Sequence, residues 1–192
     1  PITIEDIEKM FGAKVAQLVE GLTKISKVQK EMNVSMQAEN FRKMLFTLND
    51  DVRVILIKIA DRLHNMQTLD NMEDHKQIKI ASETLYIYAP LAHRLGLYKI
   101  KNKLEDLGLK YTEPVIYNDI VSKIKETKEE QDAYIKDISD ILKQALDEEK
   151  LDYIIKGRPK SIYSIYRKMK AKGVGFDEVY DKFALRIVYK SN

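Results

Sequence analysis

The sequence predicts a mostly α protein: an all-α body followed by one strand–helix–strand unit. Three observations predict it. Apolar residues recur at spacings of three and four through most of residues 1–150. Only four prolines and seven glycines interrupt the 192 residues. After Lys150 the texture changes to short runs of β-branched and aromatic residues around one basic helix.

The elements follow in order. Thr3 and Asp6 have capping-box spacing, with Asp in place of the usual Glu or Gln. Ile7, Phe11, Val15, Leu18 and Leu22 then share one helical face, and Gly12 is expected to separate two helices. Another helix is expected over "MQAENFRKMLFTLND", with Phe41, Leu45 and Leu48 inward and Asn49 and Asp50 capping the next. In "VRVILIKIADRLHNM", Val52, Ile55, Ile59, Leu63 and Met66 keep a helical period over four turns, longer than a buried strand would be. Asp61, Asn65 and Thr68 then fall at i, i+4 and i+7, a single stripe.

Further on, Pro90 is expected to divide two helices and Pro114 to open another. Tyr134, Ile135, Ile138, Ile141, Leu142, Ala145 and Leu146 mark an amphipathic helix between Glu129 and Glu149. "LDYIIKG" reads as a strand. "RPKSIYSIYRKMKAKG" reads as a helix with Gly157 and Pro159 at its entry, and "VYDKFALRIVY" as a second strand.

Composition excludes several functions. There is no cysteine, so disulfides, thiolate zinc sites and cysteine nucleophiles are ruled out, in agreement with a reducing cytoplasm. No apolar run approaches the roughly 18 residues of a membrane span, and no signal peptide is visible. The first residue is proline, as in a fragment or a processed chain. The net charge of +3 hides a gradient: residues 113–150 carry 11 acidic and 6 basic side chains, residues 151–192 carry 4 and 10. An anionic ligand is most plausible in that last segment.

Three groups of residues could carry chemistry. Asp61 on its helix could ligate a divalent cation, but one carboxylate is not a metal site; paired to a nearby arginine, it is a plain polar stripe. In "GRPKSIYSIYRKM", Arg158 and Lys160 flank a helix N-terminus, and Ser164 and Lys168 continue one face. Together they suit phosphates; the bland alternative is a solvated basic helix. Asp181 at a strand start could hold Mg²⁺ beside that site, or simply be a turn residue. His93, beside Arg94 in "APLAHRLG", is a lone helix histidine and more in keeping with a structural role.

Taken together and in order, "KIADRLHNMQTL", "YAPLAHRLGLYKIKNKLEDLGLKY", "GRPKSIYSIYRKMKAKG" and "FDEVYDKFALRIV" resemble the long RelA/SpoT-type (p)ppGpp synthetase/hydrolases. The upstream segments match too, and the resemblance covers nearly the whole chain. It implies residues 1–112 as the C-terminal half of an HD-type hydrolase domain, 113–150 as connecting helices, and 151–192 as the start of a nucleotidyltransferase-like synthetase domain.

The resemblance also implies activities, both belonging to the stringent response. The hydrolase removes the 3′ pyrophosphate of (p)ppGpp with Mn²⁺; the synthetase transfers pyrophosphate from ATP to GDP or GTP with Mg²⁺. By the same resemblance Asp61 is a Mn²⁺ ligand, and Asn65 and Thr68 face the guanosine nucleotide. Arg158 and Arg186 embrace adenine, Lys160 and Lys168 contact the ATP phosphates, Ser164 lines that site, and Asp181 is the catalytic Mg²⁺ ligand. No organic cofactor is implied. Guanine nucleotides and ATP are the expected partners, with ribosome and tRNA contacts, if any, made through regions not present here, and no membrane.

In that family the other ligands around Asp61 are a histidine, a His-Asp pair and a Glu-Asp pair upstream. The chain is expected to begin downstream of them, and to end before the synthetase's second acidic residue and its guanine-stacking tyrosine. As given it is expected to be inactive in both reactions, while "ADRLHNM" keeps Asp61 and Asn65, as a hydrolase-competent parent would. The alternative is a basic helical module that binds RNA or a partner protein; against it, the first 150 residues sum to a negative charge.

Overall fold

The computed structural model describes residues 2–31, 51–150 and 152–189. Among them the chain is mostly helical, with one two-stranded sheet. Backbone contacts divide it into two compact units, Pro1–Gly108 and Leu109–Asn192.

The first unit opens with α1 (Ile4–Phe11) and α2 (Ala13–Glu31). The capping box expected at Thr3 and Asp6 is formed, with the Thr3 N–H donating to Asp6 Oδ2 and the Asp6 N–H to Thr3 Oγ1. The break falls at Gly12, whose φ of 87° suits a residue without a Cβ. The expected inward face is only partly right: Phe11 and Val15 are exposed, and Ala16 and Ile25 are the buried residues of this stretch. The expected helix with Phe41, Leu45 and Leu48, and the caps at Asn49 and Asp50, lie outside the described residues.

Helix α3 (Val52–Gln67) is capped by Asp51, one residue later than the cap expected at Asn49 and Asp50, and the Asp51 carboxylate accepts the Arg53 N–H. Its buried side chains are Val54, Ile59, Arg62 and Met66; Val52, expected inward, is exposed. The phase is set by α2, where Gly21 leaves room for Val54: a Cβ at Gly21 would lie 3.0 Å from Val54 Cγ2. A 3₁₀ turn (Leu69–Asn71) follows, then α4 (Asp74–Glu83).

Pro90 does not divide two helices. A π turn (Thr84–Tyr88) joins α4 to α5 (Ala89–Arg94) without a break, and the Ala89 N–H donates back five residues to the Thr84 carbonyl. The wider turn accommodates a ring that lacks an N–H and would crowd the carbonyl of a regular α turn. The chain breaks instead at Gly96, with φ of 71°, before α6 (Tyr98–Thr112).

The second unit contains α7 (Pro114–Glu126), opened by Pro114 as expected, and α8 (Lys128–Glu148). Strand β1 (Tyr153–Pro159), helix α9 (Ile162–Lys172) and strand β2 (Phe183–Tyr189) complete it in the expected order. The strands pair antiparallel, with Lys156 opposite Arg186 and Arg158 opposite Ala184. Gly157 and Pro159 lie inside β1 rather than at the helix entry. A Cβ at Gly157 would sit 2.7 Å from Ile135 Cγ2, so the strand packs on α8 only because this position is bare. Helix α9 packs on α7 through a core of Ile120, Ile165 and Phe176, and ends at Gly173 in the left-handed conformation.

In the first unit Gly108 meets Leu85: a Cβ there would lie 2.6 Å from Leu85 Cγ. Gly108→Ala gains about 1 kcal/mol in helix propensity and loses about 1–3 kcal/mol to overpacking. We expect net destabilisation, read as a lower melting midpoint, and recovery of part of it with Leu85→Ala added.

Candidate functional site

In the first unit, Asp61, Asn65 and Thr68 are all exposed on or just past α3. Thr68 is the C-cap: its hydroxyl donates to the His64 carbonyl at 3.2 Å. Among the described residues Asp61 has no ion-pair partner. The arginine beside it is engaged elsewhere. Arg62 is buried, its Nη2 donates to Glu83 Oε2 at 3.1 Å, and its guanidinium stacks over the Tyr88 ring at 4.3 Å. Arg62 turns inward and locks the helix onto α4 and the π turn, while Asp61 and Asn65 remain exposed.

In the second unit the ladder gathers the other candidates. Arg158 and Arg186 belong to the same face of the sheet and are diagonal neighbours. Lys156 stands directly opposite Arg186 on that face. Like charges opposite one another cost stability in a sheet, so the face suits an anion or a π system. The other face carries Gly157 and Leu185 in contact, and Phe183, whose ring lies 5.2 Å from that of Tyr134.

The ladder continues one step past the strands, with the Lys160 N–H donating to the Lys182 carbonyl at 2.9 Å. This step brings Asp181 beside Lys160. Lys160 Nζ donates to Asp181 Oδ2 at 2.7 Å, and Lys168 Nζ ion-pairs with the same oxygen. Asp181 precedes β2 by two residues rather than starting the strand. Lys160 also crowds Lys168: contact with that ammonium, then partial burial, and then Lys160 and Lys172 charge, push the Lys168 ammonium down to about 8. The shared carboxylate is too little counter-charge for the lysines around it.

Ser164 sits within α9's first turn. Its N–H donates to Ser161 Oγ at 3.3 Å, and the two hydroxyls lie 2.7 Å apart. Ser161 is the N-cap, missed in the sequence although a serine directly before an apolar helix start is its usual signal. Glu83 and Lys172 were also missed; their roles rest on contacts that no local spacing announces.

A family model described as HD domain matches residues 2–98, just over half of the chain. The chain belongs to the HD-domain family. The model for the region found in RelA/SpoT proteins matches residues 157–192, so this is an HD-domain chain of RelA/SpoT type. Among its relatives, a GTP pyrophosphokinase of Myxococcus xanthus is 47% identical over 97% of this chain and 25% of its own length. A probable guanosine-3′,5′-bis(diphosphate) 3′-pyrophosphohydrolase of Synechocystis sp. is 46% identical over 99% of this chain and 25% of its own. The bifunctional (p)ppGpp synthase/hydrolase SpoT of Escherichia coli is 43% identical over 98% and 27%. The chain spans about a quarter of the length of these relatives.

HD-domain hydrolases generally use divalent metal ions. Among the described residues of this HD-domain chain, no three His, Asp or Glu side chains come together as a metal site. Asp61 supplies one carboxylate, which alone does not fit a catalytic metal. Asp181 in its present contacts does not fit one either, because two ammoniums occupy the carboxylate. No described helix is long and apolar enough to cross a membrane.

Two outcomes are expected. Lys168 titrates near 8 by side-chain NMR, and Lys160→Met raises that value while Asp181→Asn lowers it. Below about 8 Lys168 is charged in both folded and unfolded chain, and the folded state bears the repulsion. From there to the ordinary lysine value of 10.5 the folded state sheds the proton first, so stability rises with pH across that window. Separately, Arg62→Ala should lower stability by about 3 kcal/mol in denaturant unfolding, because it breaks a largely buried pair.

Proposed function

We propose that this chain contributes to two nucleotide-handling centres of a longer protein that makes and degrades (p)ppGpp. Its second unit contributes to transfer of pyrophosphate from ATP to GDP or GTP. Its first unit contributes to removal of the 3′ pyrophosphate from (p)ppGpp. The convergence of Lys160 and Lys168 on Asp181, next to the face that carries Arg158 and Arg186, is the observation that supports this most. Two lysines suit phosphate oxygens. Two exposed guanidiniums on one sheet face suit a stacked adenine.

On this reading Arg158 and Arg186 hold the adenine, Lys160 and Lys168 the phosphates, and Ser164 lines the same site. Asp181 is the acidic group for Mg²⁺. Asp61 is one ligand of a Mn²⁺ ion that needs further ligands beyond the described residues, and Asn65 and Thr68 face the guanosine nucleotide. On the same reading the hydrolase part runs over 1–112, the connecting helices over 113–150 and the synthetase start over 151–192. The relatives' names support both activities, since one is named for the kinase, one for the hydrolase and one for both. We place the protein in the cytoplasm, where its nucleotides are, and assign ribosome or tRNA contacts to parts outside this chain.

Calorimetric titration of the chain with ATP tests the second unit. Charge-assisted hydrogen bonds are worth about 1.5–3 kcal/mol, so Arg158→Ala and Lys160→Met should each weaken ATP binding about tenfold or more. Asp61→Ala, in the other unit, should leave it unchanged. Salt-sensitive RNA binding with no ATP binding would favour the nucleic-acid module instead. For the first unit, Asp61→Ala in a full-length protein carrying this segment should abolish Mn²⁺-dependent ppGpp hydrolysis and spare synthesis. Unchanged hydrolysis removes Asp61 from the metal shell.

A further inference from the structure

The acidic group expected to take a divalent cation is already engaged. Asp181 Oδ2 accepts Lys160 Nζ at 2.7 Å and ion-pairs with Lys168 Nζ as well. The two lysines come from different places, one just after β1 and one from the second turn of α9, and Asp181 comes from the segment before β2. The cluster is therefore built by the fold and not by neighbouring residues in sequence. Lys172, one turn after Lys168 on α9, adds its charge to the group. Ammoniums outnumber the carboxylate, so a free dication meets repulsion there, and a polyanion meets attraction.

We propose that Asp181 is closed to divalent cations until a polyphosphate draws Lys160 and Lys168 away from it. This deepens the phosphate-site reading and rests on it. The same two ammoniums serve as the lock on the carboxylate and as the receptor for the anion. A phosphate chain offers each of them several oxygens in place of one shared oxygen. Once they move onto the anion, the Asp181 carboxylate is uncovered and faces a dication that the phosphates also attract. Binding of the two ligands is then coupled, and by linkage each strengthens the other by the same factor. A carboxylate left uncovered would bind cations without nucleotide; this arrangement ties cation entry to the anion that needs it.

The lock is not strong. Lys160, Lys168 and Asp181 side chains are 25%, 33% and 51% exposed, and exposed ion pairs are individually weak. Two of them on one oxygen, together with direct repulsion of a dication, correspond to about a tenfold effect on cation affinity.

The test uses isotope-labelled chain and line broadening by Mn²⁺ at the amides of Asp181, Lys182 and Phe183. With Mn²⁺ alone, the double variant Lys160→Met with Lys168→Met should broaden at about tenfold lower Mn²⁺ than wild type. Asp181→Asn should show no such broadening. A second double variant, Lys160→Gln with Lys168→Gln, guards against local misfolding, and a retained amide spectrum reports the fold of each. In the second arm, inorganic tripolyphosphate alone should shift the Lys160 and Lys168 side-chain signals. Mg²⁺ should then strengthen tripolyphosphate binding in wild type more than in Asp181→Asn.

Equal broadening of wild type and both double variants overturns the proposal, because the carboxylate was open all along. No broadening in either double variant overturns it as well, and removes Asp181 as a cation ligand. If the variants open the carboxylate but tripolyphosphate leaves both lysines unmoved, the phosphate-site reading fails and the coupling with it. If tripolyphosphate binds at the lysines and Mg²⁺ strengthens wild type and Asp181→Asn alike, the phosphate site stands and the coupling is refuted.

Discussion

One antiparallel ladder positions the charged residues of the second unit. Seven residues of β1 pair with seven of β2, and the register decides which basic side chains share a face. A slip of β2 by one residue would move Arg186 to the side that packs on α8 and part it from Arg158. Gly157 holds that register from the other face, since only a bare position lets Ile135 approach so closely. The step beyond the strands, from Lys160 to Lys182, then fixes where Asp181 lies. Core packing and site geometry are two consequences of the same pairing.

The first unit shows a comparable economy around a single helix. Arg62 faces inward and satisfies Glu83, the Ile80 carbonyl and the Tyr88 ring. Since successive helix residues point about 100° apart, anchoring Arg62 commits Asp61 to a different side of the helix. The π turn is part of the same arrangement, because it carries Tyr88 to the guanidinium and leaves room for Pro90. A buried ion pair of this sort is weak evidence for net stability; its effect here is to fix the rotation of α3.

Much of the fold was legible because it follows from local rules. The capping box at Thr3, the break at Gly12, the helical period of α3 and the opening of α7 at Pro114 each depend on a few adjacent residues. What failed depended on distant neighbours. Val52 and Val54 are equally apolar, and only Gly21 on α2 decides which is buried. Pro90 reads as a helix breaker until a widened turn absorbs it. In α8, Tyr134 and Ile141 keep the apolar period yet are exposed, while Ser139 is buried with its hydroxyl donating to the Ile135 carbonyl at 2.6 Å. The candidate site divides the same way. Arg158, Lys160 and Lys168 could be picked out by charge and spacing, whereas the pairing of Lys160 with Asp181, 21 residues apart, exists only in the folded chain.

The proposed function depends on a phosphate-binding cluster at Lys160 and Lys168. Chemical acetylation of lysines, followed residue by residue by mass spectrometry, addresses it most directly. Lys136 and Lys143 on α8 serve as internal references within the same unit. ATP should slow modification of Lys160 and Lys168 and leave the α8 lysines unchanged, while RNA at the same phosphate concentration should protect Lys160 and Lys168 less than ATP does. Protection of Lys160 and Lys168 by RNA and not by ATP would contradict the account.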